Sequence, residues 1–306
     1  MSRFAWSNAG ALVALGLILV LTKGDSYRAG LLAGLAGCYV VLLAAGSLVP
    51  RLDFYLRAAR RGPSDQTWVA LTFDDGPDPA TTPLLLELLR CERISAAFFF
   101  VGEAARRHPA LVAQAAADGH LVGNHSDRHG YGWTVSSSTR MFAEFAAANR
   151  TFTAILGQTP RFVRTPAGVS RPYLAEVLRR LQLRNVAWDV RGLEGLYRDP
   201  ERIAARVARR TRNGSIILLH ERYYGAPPFE PRRVLATARL TIHALRARGF
   251  RFVRLDRLLE QADLAVLSDQ KEALPGSGTL LAEEGADELV GYRHAASAAP
   301  GMGRAA

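Results

Sequence analysis

Two long uncharged stretches open the chain. No charged residue occurs from Phe4 to Thr22, or from Ala29 to Pro50. Each run is long enough to cross a bilayer as a helix. Between them lies Lys23-Gly24-Asp25-Ser26-Tyr27-Arg28, short and polar. The pattern predicts a membrane hairpin of two transmembrane helices, with its linker, over residues 1–61. A cleaved signal peptide is the rival reading of the first run, and Leu35-Ala36-Gly37-Cys38 has the form of a lipoprotein box. Against these, no clear small-residue cleavage site follows Leu21, and apolar sequence continues past Cys38 through Leu48. From Thr67 the pattern changes to short apolar runs alternating with amphipathic ones. Strands are expected at 68–73, 96–101, 121–124, 162–164, 185–190, 215–219 and 250–253. Helices are expected at 82–90, 110–117, 139–155, 171–181, 201–211 and 234–247. Such alternation argues for a parallel α/β domain over 62–262. Phe98-Phe99-Phe100 reads as core. Residues 263–306, rich in Ala, Gly, Ser and acids, are expected to be largely disordered.

Charge changes this picture in one respect. The 306 residues carry a formal charge of +11, almost entirely from arginine, since lysine occurs only at Lys23 and Lys271. Most arginines fall on expected helices and read as solvated faces. The functional reading is attraction to an anionic lipid or an anionic substrate. No zinc-finger, helix-turn-helix or aromatic-basic pattern argues for nucleic acid. Arg51, Arg57, Arg60 and Arg61 follow the second apolar run, whereas the connecting loop holds only Lys23 and Arg28. The bias predicts an inner-membrane protein with its folded domain on the cytoplasmic face. Cys38 and Cys91 suggest no disulfide.

The candidate chemistry lies at the ends of the strand-like runs. Thr72-Phe73-Asp74-Asp75-Gly76-Pro77 closes the first run with two adjacent carboxylates and a turn. Asn124-His125-Ser126-Asp127-Arg128-His129 closes the third. Two His four apart share one side of a helical turn, a common way to bring two imidazoles onto one metal. Arg164-Thr165-Pro166-Ala167-Gly168 follows Phe162-Val163, and Ser215-Ile216-Ile217-Leu218-Leu219-His220 ends on a histidine.

This set resembles the polysaccharide deacetylase family, which removes acetyl groups from chitin oligomers, peptidoglycan, xylan and related glycans. Thr-Phe-Asp-Asp-Gly-Pro matches without change, as do His125 to His129, the Arg164, Pro166 and Gly168 pattern, and Leu218 with His220. The aromatic usual before Gly168 is Ala167. The fourth motif departs most: Arg191, Glu194 and Gly195 stand where Asp, Asp and Trp are usual.

The resemblance implies a distorted, incomplete (β/α) barrel and one divalent metal ion, with zinc expected, on Asp75, His125 and His129. It implies Asp74 as general base, Arg164 as its ion partner, His220 as general acid and Glu194 as the tether of His220. Pro166, Leu218, Trp133 and Tyr223 are the candidate substrate contacts. The expected function is a membrane-attached hydrolase removing N-acetyl, formyl or O-acetyl groups from a carbohydrate or lipid-linked sugar. The alternative, resting on the altered fourth motif, is a catalytically silent glycan-binding relative.

Overall fold

The computed structural model describes residues 3–22, 25–63, 65–130, 132, 137–222 and 230–260. These all belong to one unit, Met1–Ala262. The expected disordered tail lies outside the described residues. Two helices come first, α1 (Arg3–Leu21) and α2 (Asp25–Leu48). Both are long and apolar enough to cross a membrane, and both leave large apolar side chains such as Leu12, Val20, Val40 and Val41 exposed. Their inner ends are tied to the domain. The Phe4 amide donates to the Phe54 carbonyl at 3.0 Å, and Phe4, Phe54 and Tyr55 form an edge-to-face aromatic cluster. At the end of α2, the Ser47 carbonyl accepts from the Ser170 amide at 3.0 Å.

The domain is a curled, wholly parallel sheet of eight strands wrapped by helices. In chain order the elements are β1 (Trp68–Asp74), α3 (Thr82–Cys91), β2 (Ala97–Phe100), α4 (Gly102–Arg107), α5 (Pro109–Ala117), β3 (Leu121–Asn124), α6 (Ser138–Leu156) and β4 (Phe162–Val163). Then follow α7 (Leu174–Arg180), β5 (Arg184–Asn185), β6 (Val190–Arg191), α8 (Pro200–Arg210), β7 (Ile216–His220), α9 (Pro231–Ala247) and β8 (Arg251–Phe252). The sheet order is β5-β4-β3-β2-β1-β7-β6, with β8 also on β1. Strands β1, β2 and β7 are buried on both faces, which is why they read as continuous apolar runs.

Period-two alternation sorts their residues. Val69, Leu71, Phe73, Phe98, Phe100, Ile217 and Leu219 pack outward against helix residues such as Leu85, Val112 and Ile242. The opposite face carries Ala70, Ala97, Phe99 and Ile216 near its base. On that same inner face, two and four residues on, lie Thr72 and Asp74 of β1 and Leu218 and His220 of β7. Asp74 and His220 are register partners, so they are neighbours at the C-terminal edge of the sheet.

Two expectations need correction. The run 185–190 is not one strand but two, β5 and β6, which lie at opposite edges of the sheet. The chain crosses the open side of the barrel at Val186–Asp189. There the Ala59 carbonyl takes the Ala187 amide, Arg164 takes the Val186 and Ala187 carbonyls, and Asp189 accepts from the Ile216 amide. Nor do His125 and His129 lie on a helical turn. They sit in an irregular loop whose amides are claimed by side chains. Asn124 Oδ1 accepts from the Ser126 amide, Ser126 Oγ from the His129 amide, and Glu144 from the Arg128 amide. Local side-chain acceptors of this kind outcompete helical pairing.

Candidate active site

The inner-face alternation delivers Asp74 to a cavity of about 540 Å³ at the C-terminal edge of the strands. Arg164 follows β4 and spans the barrel interior to meet it, its Nη1 donating to Asp74 Oδ1 at 2.7 Å and to Thr72 Oγ1 at 2.8 Å. Its Nε and Nη2 donate to the Val186 and Ala187 carbonyls, and the guanidinium lies 4.1 Å over the Phe99 ring. Arg164 and Asp74 are only 1 % and 3 % exposed. A charge pair this deep persists because each remaining donor finds an acceptor, and removing either partner costs about 3–5 kcal/mol.

Asp75 leaves the strand with φ 77°, a left-handed conformation that Asp tolerates better than most side chains do. This turn lets adjacent carboxylates line the same cavity. A Cβ at Gly76 would lie 1.7 Å from Glu221 Oε1, so any larger residue there would have to displace the Glu221 carboxyl. Ser126, His129, Ala167 and Leu193 also have positive φ, so backbone strain gathers around this cavity.

Asp75, His125 and His129 bring one ligand atom each within 4.8 Å of one another. His125 Nε2 is 3.4 Å and His129 Nε2 3.3 Å from Asp75 Oδ1. Their donor chemistry fits a divalent metal on three counts. Asp75 Oδ1 is buried without a hydrogen-bond partner among the described residues. The His125 Nδ1–H donates to the Arg164 carbonyl at 2.8 Å, which turns the Nε2 lone pair toward Asp75. Burial and the neighbouring His125 depress the His129 pKa to about 4, so that ring stays neutral and able to donate its electrons. Burial alone would raise the Asp75 pKa, but the adjacent imidazoles of His125, His220 and His129 bring it below the usual value.

His220 closes the opposite wall. Glu194 Oε1 accepts from the His220 amide at 3.0 Å, and Oε2 lies 3.3 Å from His220 Nδ1. Leu193, at φ 66°, turns the loop after β6 so that Glu194 returns beneath the ring. Burial works against protonation of His220, but the Glu194 carboxylate outweighs it and lifts the pKa to about 9. Pro166 and Leu218 line the cavity, together with Ala167, Trp188 and Gly195. Trp133 and Tyr223 lie outside the described residues.

Sequence reasoning missed Glu221. Its side chain points away from that of His220, into a fully buried site beneath the Asp74–Gly76 turn, where the Thr82 hydroxyl donates to it. Burial pushes its pKa up to about 8, so at neutral pH it is a neutral acid that buttresses the turn. Its position directly after His220 was the one available signal, because a strand residue next to an inward side chain must face outward.

The comparisons with known proteins bear on this geometry. The polysaccharide deacetylase family model matches residues 61–186. The chain is similar to a chitooligosaccharide deacetylase of Azorhizobium caulinodans, at 32 % identity over 64 % of this chain and 96 % of that protein. It is similar to a peptidoglycan-N-acetylglucosamine deacetylase of Bacillus cereus, at 30 % identity over 64 % of this chain and 90 % of the other. Among solved structures, the peptidoglycan deacetylase PdaC of Bacillus subtilis superposes with a TM-score of 0.59 at 27 % identity, covering 68 % of this chain and 97 % of that one. A likeness at this level through nearly the whole of two curated relatives settles descent: the chain belongs to the polysaccharide deacetylase family of hydrolases.

Proposed function

We propose that the protein is a membrane-attached, metal-dependent hydrolase that removes N-acetyl groups from a carbohydrate of the chitooligosaccharide or peptidoglycan type. The observation that carries this reading is the convergence of three preorganised units on one cavity: Asp74 with Arg164, Asp75 with His125 and His129, and His220 with Glu194. A bound divalent ion, with zinc expected from the Asp/His₂ donor set, would supply Lewis acidity to the acyl carbonyl and acidify a water. The protein's own groups do the rest. Arg164 holds Asp74 in place, where its carboxylate accepts the proton of the attacking water. His220, held protonated by Glu194, donates to the departing amine nitrogen as the C–N bond breaks. The products are acetate and a free amino sugar. Pro166 and Leu218 supply apolar wall for the sugar. The altered fourth motif is the argument for a silent relative, and Glu194 lying against the amide and ring of His220 supports the active reading instead. Purified protein with added divalent metal is expected to release amine from N-acetylated chitooligosaccharides. No release from any N-acetylated, N-formylated or O-acetylated glycan would favour the silent reading.

Glu194 gives a test of the acid. Because a carboxylate stabilises imidazolium, Glu194→Gln should lower the His220 pKa from about 9 toward the ordinary histidine value. The protonated acid is lost as pH rises through that pKa. The alkaline limb of the kcat/KM profile should therefore move to lower pH in the variant, with the largest deficit between the two pKa values. A profile that keeps its alkaline limb would assign the tether elsewhere.

The apolar helices supply the attachment. Phe4 and Ser47 both sit against the domain, so the hairpin leaves its surface and returns to it. Arg3 precedes the first apolar helix and Arg51, Arg57, Arg60 and Arg61 follow the second along the chain, which argues for the cytoplasmic face. Reporters fused to the C-terminus of the full chain read this directly. A fluorescent green fusion with silent alkaline phosphatase is expected; the reverse pair would put the domain outside.

A further inference from the structure

A second cavity, of about 340 Å³, adjoins the active-site pocket and shares Ala167, Trp188 and Arg191 with it. Its lining is unusual in two ways. One side is cationic: Arg51 from the linker, Arg191 from β6, and Arg206 with Arg210 from α8. The other side is the end of the apolar hairpin, Leu48 and Val49, whose side chains are 63 % and 42 % exposed.

The cations are not compensated from within. Arg206 and Arg210 are four apart on one helix, where like charges meet and destabilise it. Neither they nor Arg191 form an ion pair among the described residues. The Arg206 Nε is buried with no hydrogen-bond partner. Burial and the neighbouring guanidinium groups of Arg210, Arg191 and Arg209 pull the Arg206 pKa below its usual value. The one acid on the lining, Asp189, is already engaged. Its carboxylate accepts from the Ser215 hydroxyl and the Ile216 amide and lies 3.5 Å from Arg212 Nε. Arg51 donates to the Asp189 carbonyl at 3.1 Å. Arg51, Arg191 and Arg210 are exposed and Arg206 half-buried, so what marks the cluster is four guanidinium groups facing one cavity, with one buried donor lacking an acceptor, an arrangement that an anion completes. Guanidinium forks match phosphate geometry, and several forks at one site favour a multiply charged group over a single carboxylate.

We propose that this cavity is a phosphoryl subsite, which holds the phosphate or diphosphate ester of a substrate whose acylated sugar enters the adjacent active-site pocket. This rests on the deacetylase reading for the neighbouring pocket. The shared wall places the ester one sugar away from the reacting group. The apolar rim at Leu48 and Val49 leaves a path for a hydrocarbon chain toward the membrane. The two sources of the ester are a lipid-linked sugar phosphate and a soluble one.

The test is binding by the full-length protein in neutral detergent micelles. Inorganic diphosphate is titrated in one arm and a long-chain alkyl phosphate within the micelles in the other, with acetate as control. The wild type is expected to bind both phosphates. Alkyl phosphate tighter by tenfold or more identifies a lipid-linked substrate, and equal affinities identify a soluble one. Arg206→Gln with Arg210→Gln should weaken both by at least tenfold. If the double variant does not fold, Arg210→Gln alone, at an exposed side chain, carries the same comparison. Wild-type affinity in these variants, no binding by the wild type, or acetate binding as well as diphosphate would each overturn the proposal. Because the readout needs no turnover, a chain that binds diphosphate yet releases no amine fails the deacetylase reading while keeping the phosphoryl site, whereas amine release without diphosphate binding overturns the phosphoryl site alone.

Discussion

A chain carrying His125→Ala and His129→Ala is expected to purify without divalent metal and to release no measurable amine. The two imidazoles supply two of the three ligand atoms that converge within 4.8 Å, and only Asp75 remains in the variant. Loss of a mere supporting partner costs 10–100-fold in metal affinity, so loss of two ligands should exceed about a hundredfold. The His125 side chain also ties the proposed ligand set to the proposed base, since its Nδ1–H bonds the carbonyl of Arg164, the residue that holds Asp74. The single variant His129→Ala is the cleaner probe, because that ring lies at the cavity edge with 17 % of its side chain exposed. Elemental analysis after dialysis, beside an amine-release assay, reads both effects. A double variant with wild-type metal content would retire the proposed ligand set.

Asp74→Asn should keep the metal and lose turnover by about 10²- to 10⁴-fold, the range expected for loss of a general base. The amide oxygen can still accept from Arg164 Nη1, so the side chain has reason to stay in place. It cannot take a proton from water. It also leaves Arg164, buried and charged, without its counter-ion, so the variant should melt at a lower temperature than the wild type. Measuring metal content and the melting midpoint together separates loss of the base from collapse of the site. Turnover within a few-fold of wild type, with metal bound, would mean that another group accepts the proton.

The site was legible in the sequence to the extent that it is local. A strand read from Trp68 to Phe73 fixes the alternation that sends Thr72 and Asp74 inward, and the apolar run ending at His220 does the same for Leu218 and His220. Gly-Pro after Asp75 marks where the strand must stop. What the pattern misjudged were backbone details without a residue signature. Ser126, His129 and Leu193 take left-handed conformations that glycine would have announced, and none of them is glycine. A run of six residues with strand composition was split because its two ends pair at opposite edges of one sheet.

The division has a physical cause. Periodicity and turn chemistry act over a few residues, so the sequence by itself determined the parallel α/β alternation, the apolar hairpin, and which side chains stand at strand ends. Contacts between distant segments depend on how the strands are ordered and how the loops return, and only the tertiary structure decided those. It set Glu194 against both the amide and the ring of His220, a pairing that the altered motif left open. It put Glu221 beneath Gly76, where its carboxyl fills the space a side chain would need. It also gathered Arg51, Arg191, Arg206 and Arg210 from a linker, a strand and a helix around one cavity beside the pocket that holds Asp74 and His220. In the sequence those arginines are indistinguishable from others on solvated faces, because charge is written along the chain but which charges face one cavity is decided by the fold.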